Sequence, residues 1–267
     1  MINKFFKINI SIKNSFRFLI VSLLFLLQSC ASKKNIIYFQ NAKYSNLDAV
    51  IYEGVKIQPN DILNISVSAL VPETAIPYNK QVINNGAITN IELLKLQGYL
   101  VSHSGAIVFP VLGGINVAGK TMEYVEKEIE DKLEKGGHLI KPIVSIRLLN
   151  AKVTVLGEVN RPGTFTFSEQ NMTLTQALGL AGDLTINGKR KDVTLVREID
   201  GERIVKVLDL TDPKVFNSPY YNIRPNDTII VSPNTAKVKS AGLVGNAGTV
   251  LTVISLILTS IVLITNN

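Results

Sequence analysis

Apolar and polar residues alternate in short stretches through the middle of the chain. Leu63, Ile65, Val67 and Ala69 are separated by Asn64, Ser66 and Ser68, and Val144, Ile146 and Leu148 by Ser145 and Arg147. This period of two is that of a half-buried strand. Val153 with Val155, and the runs 164–167, 193–196, 205–208 and 228–231, add further strand candidates. Two stretches switch to a helical period. After Thr121, residues Met122, Val125, Ile129 and Leu133 form one apolar face, Glu123 stands near the start, Lys132 and Lys135 near the end, and Gly136-Gly137 stop the run. Thr173 and Gln176 have capping-box spacing ahead of Leu174, Ala177, Leu178 and Ala181, with Gly182 at the end. The pattern predicts an α+β protein that is mostly β, with two packing helices.

The C-terminal end has a different pattern. No charged residue occurs from Ser240 onward, and 241–264 reads as one apolar run preceded by Lys237 and Lys239. At about 1.5 Å per residue such a run matches a hydrocarbon layer of about 30 Å, so a transmembrane helix is expected over 236–267. At about 100° per residue, Gly242, Gly245, Gly248, Thr249, Thr252, Ser255 and Thr259 fall in one stripe about 140° wide, and larger apolar residues take the rest. Small and hydroxylated side chains suit close helix contact or a wet lumen, while the other face suits lipid. A plain anchor whose hydroxyls bond back to their own helix, or a buried helix, would also carry such residues.

At the other end Lys4, Lys7, Lys13 and Arg17 precede an apolar stretch over 18–27, the layout of a secretion signal over 1–29. Cys30, the chain's one cysteine, sits where cleavage is expected, and Leu27-Gln28-Ser29-Cys30 resembles the lipobox of bacterial lipoproteins, with Cys30 as the lipid attachment residue. Ala31 after it is the type of residue that, by analogy with that class, favours the outer membrane. The formal charge of +7 falls to +3 without the signal, because 1–29 holds four basic residues and no acidic one. The remaining Lys and Arg are scattered and the chain has no Trp, so no nucleic-acid partner is expected.

Two ten-residue stretches echo one another. Residues 57–66 and 223–232 share Ile, Pro-Asn-Asp and the closing Ser, each a turn feeding a strand, with proline presetting φ and Asn and Asp able to bond their own backbone. Their spacing does not itself bring the carboxylates together for acid–base work. Ser102-His103-Ser104 is no evidence of a nucleophile–base pair, and His103 and His138, the two histidines, form no ligand cluster. Neither a catalytic residue, a metal nor a cofactor is expected.

The order of several short motifs carries a resemblance. The segments 57–67, 98–101, 105–113 (Gly-Ala-Ile-Val-Phe-Pro-Val-Leu-Gly), 117–121 and 142–147 resemble the polysaccharide export domain. Those at 153–159, 161–165 (Arg-Pro-Gly-Thr-Phe), 173–178, 181–184, 193–197 and 223–231 are similar to the β-grasp soluble-ligand-binding (SLBB) module. The resemblance implies a lipid-anchored segment over 30–52, an export domain over 53–150, an SLBB domain over 151–235 and the terminal helix over 236–267. It further implies an outer-membrane export lipoprotein that is not an enzyme. Copies would form a ring-shaped homo-oligomer passing capsular or extracellular polysaccharide, contacting outer-membrane lipid and coupling to an inner-membrane polysaccharide co-polymerase or kinase. A periplasmic adaptor that does not conduct is the alternative. With one SLBB copy the vestibule would be shorter than in relatives with several.

Overall fold

The computed structural model describes residues 33–40, 42, 54–80, 91–199, 201–241 and 247–265. Its apolar residues gather into two cores. The first is organised by β1 (Ile62–Ser68), whose alternation buries Leu63, Ile65 and Val67. After the short helices α1 (Pro72–Ala75) and α2 (Ile91–Gln97), β2 (Tyr99–Leu100) pairs antiparallel with β1. β3 (Ala106–Phe109) and β4 (Gly113–Asn116) form a separate hairpin that turns Ile107, Phe109 and Ile115 inward. α3 (Met122–Lys135) follows, and β5 (Ile143–Leu148) closes a three-stranded sheet in the order β2-β1-β5.

α3 forms where the sequence pattern places it. Thr121 Oγ1 accepts the Tyr124 N–H at 3.3 Å, Gly136 caps the other end, and Val125, Ile129 and Leu133 are fully buried. Its acidic residues are not all solvated charge. Glu126 accepts the Ile146 N–H at 2.7 Å and Glu130 the Val144 N–H at 3.1 Å. Both amides lie on the side of β5 away from β1, so the helix satisfies the outer edge of that sheet.

The second core is built on β6 (Lys152–Gly157), β7 (Gly163–Thr166), the short β8 (Met172–Thr173), helix α4 (Leu174–Leu180), β9 (Gly188–Ile199), β10 (Glu202–Leu208), the short β11 (Asn222–Ile223) and β12 (Thr228–Pro233). Five strands pair in the order β10-β9-β12-β6-β7, with β12 parallel to β6 and the other pairs antiparallel. α4 begins with the full capping box of Thr173 and Gln176 and buries Leu174, Ala177 and Leu178 in this core. At the β6 exit Gly157 has φ +88°, and a Cβ there would stand 2.1 Å from the Val231 carbonyl oxygen, so only glycine fits. A segment far upstream joins this core: the Phe39 and Gln40 N–H groups donate to Leu210 and Thr211 carbonyls at 3.0 and 2.8 Å, and the Phe39 ring lies 4.6 Å from that of Phe216.

The tail corrects one expectation. α5 (Thr235–Ser240), capped by Asn234, is a short helix of its own, and α6 (Ala247–Thr265) is a second one of 19 residues. Among the described residues no helix is long and apolar enough to cross a membrane. A transmembrane helix over 236–267 is therefore unsupported by the described residues. The span 236–267 takes in most of α5, which ends at Ser240, as well as α6, which at about 1.5 Å per residue is roughly 28 Å long. The strand-rich α+β architecture itself is present.

Candidate functional site

Among the described residues α6 stands out for its exposed large apolar side chains. Leu251, Val253, Ile254, Leu256, Ile257, Leu258 and Leu263 are 40 to 67 % exposed. So continuous an apolar surface on a soluble face calls for a cover, whether lipid or protein. Gly248, Thr249, Thr252, Ser255 and Thr259 are all exposed and, at helical spacing, share one flank. In the single chain three of their hydroxyls bond back to their own helix: Thr252 to the Gly248 carbonyl at 2.8 Å, Ser255 to Thr252 at 2.9 Å and Thr259 to Ser255 at 2.8 Å. Hydroxyls bonded this way are satisfied without water, so the flank is compatible with both lipid and a partner helix. Gly242, Gly245 and Cys30 lie outside the described residues.

The two echoed turns are the second feature. Asn60 and Asn226 hold φ of 70° and 68°, and the aspartate after each accepts the N–H three residues upstream: Asp61 from Gln58 and Asp227 from Arg224, both at 2.8 Å. Asp61 is 4 % exposed and Asp227 1 %. Their surroundings then diverge. Arg197 grips Asp227 with Nε at 2.9 Å and Nη2 at 2.7 Å, and Nη2 also donates to the Asn222 carbonyl at 2.7 Å. Among the described residues no ion pair involves Asp61, and burial pushes its carboxyl up to about 6 against the opposing pull of the Gln58 N–H. The fold brings both turns to one crevice of about 590 Å³ between the two cores, lined among others by Lys56, Asn60, Asp61, His103, Glu198 and Arg224.

The remaining candidates do not assemble into a reaction centre. Ser102 lies 2.9 Å from Ser104 and accepts the Ala106 N–H at 3.1 Å, so its partners are turn partners rather than His103. His138 packs edge-on to Tyr78 at 5.9 Å. Among the described residues no group of three or more His, Cys, Asp or Glu could hold a metal ion. Elsewhere the Lys80 ammonium lies 4.2 Å over the Tyr99 ring and donates to the Gly98 carbonyl at 2.7 Å, and burial lowers its pKa. Burial also raises the Tyr99 phenol to about 12. Sequence reasoning missed the Arg197–Asp227 pair, although a signal was present: Arg197 continues the inward positions Val193 and Leu195, and a buried guanidinium needs a carboxylate.

The chain thus has two strand-rich modules, a Pro-Asn-Asp turn before the first strand of one and before the last strand of the other, and an exposed apolar helix after them. Residues 51–149 match the model for the polysaccharide biosynthesis/export protein family and residues 152–207 the SLBB domain, together more than half the chain. The chain belongs to the polysaccharide biosynthesis/export family and carries one SLBB domain. It is similar to the EPS I polysaccharide export outer membrane protein EpsA of Ralstonia nicotianae, with 38 % identity over 38 % of this chain and 27 % of that protein. The protein of the same name from Ralstonia solanacearum is 31 % identical over 58 % of this chain and 41 % of its own length. The exopolysaccharide production protein ExoF of Rhizobium meliloti is 33 % identical over 34 % and 23 % respectively. The matched stretches thus span less than half the length of these relatives.

Proposed function

We propose that this chain is a subunit of an outer-membrane conduit for capsular or extracellular polysaccharide, attached through lipid on Cys30 and through α6. Membership of the export family and relatives named as outer-membrane export proteins support the location and the cargo class. The observation that carries the conduit reading is α6, a 19-residue helix whose described large apolar side chains are exposed in the single chain. In a closed cyclic assembly, the α6 helices of several copies would turn the flank of Gly248, Thr249, Thr252, Ser255 and Thr259 toward one another and the apolar remainder to lipid. Gly242 and Gly245 would extend that flank. An inner-membrane co-polymerase or kinase would supply the polymer and the energy, and this chain would break no bond.

One observation favours a second reading. The hydroxyls of Thr252, Ser255 and Thr259 are already bonded within α6, as in a passive anchor, which fits an adaptor that binds assembly partners without conducting. Replacing all three by Leu separates the readings. The conduit predicts that surface polysaccharide falls to background while the protein stays in the outer-membrane fraction. Undiminished surface polysaccharide would leave the adaptor standing.

A further inference from the structure

We propose that the crevice between the two modules is a saccharide-binding site that holds about one or two sugar units of the exported chain. The inference rests on the export reading for the nature of its ligand, and on the crevice alone for its place. At about 590 Å³ the space falls within the range of roughly 300–1,000 Å³ typical of small-molecule sites. Its walls come from the first echoed turn, the loop carrying His103, the tip of the β9–β10 hairpin and the second echoed turn, so both modules contribute.

The lining groups select the chemistry. A sugar offers hydroxyls that both donate and accept, and needs a wall that does the same. Asp61 and Glu198 accept, Lys56 donates, and Asn60 and His103 can do either. Among the described lining residues two cations, Lys56 and Arg224, stand with two carboxylates, so their formal charges do not favour a polyanion. Among the described residues no Phe, Tyr or Trp lines the crevice, so none of them offers a flat aromatic ligand a ring to stack on.

Asp61 supplies an independent observation. The same position in the second turn, Asp227, is neutralised by Arg197, whereas Asp61 is almost fully buried, lines the crevice and, among the described residues, makes no ion pair. A buried carboxyl without a cation is stabilised by hydroxyl donors, and sugar hydroxyls arriving from the crevice are such donors. Its raised pKa is consistent with a group that lacks a counter-charge. His103 and Glu198 have exposed side chains on the crevice wall, where a polymer in passage can reach them.

The test uses the purified full chain in detergent and calorimetric titration with tri- to pentasaccharides, released by partial acid hydrolysis from the surface glycan of the strain that encodes it. Size-matched dextran fragments serve as the control. The native chain should bind the glycan fragments saturably, and the double variant His103→Ala, Glu198→Ala at least tenfold more weakly with an unchanged unfolding temperature. Equal affinity in the double variant, or no saturable binding by the native chain, overturns the site. The Leu substitutions in α6 leave the crevice intact, so a chain that binds but does not export, or exports but does not bind, tells the two readings apart.

Discussion

Asp61 and Asp227 each accept the backbone N–H three residues upstream, yet only Asp227 meets a guanidinium. The difference converts one local motif into two electrostatic outcomes. Asp227 closes a buried pair that ties β9 to the turn before β12, so removing Arg197 would strand a charge. Asp61 keeps a pKa of about 6 against an ordinary 3.8, so the folded state holds its proton more tightly than the unfolded chain. Its contribution to stability is complete below about pH 4 and is lost as pH rises through about 6. Asn at this position keeps an acceptor for the Gln58 N–H and carries no charge. Asp61→Asn should therefore be about 1–3 kcal/mol more stable than the native chain at pH 7.5 and about equal to it near pH 4. Thermal unfolding of the two proteins at both values checks this, and a difference independent of pH would refute it.

Strands and helices with a clean period were readable because each turns one face to a core. β1, β5 and the middle of β9 follow the alternation of their sequences, and α3 and α4 begin at the threonines that cap them. β3 and β4 were not readable as a hairpin, because β4 opens on two glycines and buries only Ile115, and the two meet across a turn containing Val111 at φ +66°. The docking of Phe39 and Gln40 on Leu210 and Thr211 joins residues about 170 apart in sequence, a relation that local pattern does not encode. The crevice was likewise hidden, since the spacing of the two turns gives no hint that a chain reversal makes them neighbours. Gly157 shows how sharply one element boundary is set. Gly157→Ala puts a methyl against the Val231 carbonyl, which is itself bonded to the Glu158 N–H at 3.0 Å, and should cost about 3 kcal/mol or more. Gly201→Ala, at φ +82° with nothing within 4 Å, should cost only about 1 kcal/mol. Equal losses in the two variants, read from unfolding midpoints, would remove the steric account.

At the scale of the whole molecule both chain ends leave from the second module. The Tyr38 hydroxyl donates to Asp183, and Asn234, just before α5, donates its N–H to the Asn187 carbonyl at 2.7 Å, so the two exits are fixed four residues apart on the same stretch. Burial and the neighbouring Asp183 carboxylate both raise the Tyr38 phenol, so this attachment stays protonated throughout the ordinary pH range. Cys30 lies eight residues before Tyr38, a reach of at most about 29 Å, and α6 begins shortly after α5. In the proposed conduit, attachments at Cys30 and α6 would both be tethered through the SLBB module. The exposed apolar flank of α6 calls for a cover, and the proposed ring would supply it with lipid or detergent outside. Electron microscopy of the detergent-extracted chain should show closed rings with an axial opening, with the α6 density at the end that carries the SLBB modules. A chain ending at Ala241 should give monomers or loose oligomers under the same conditions. Discrete monomers of the full chain, or α6 folded back against the two modules, would rule the arrangement out.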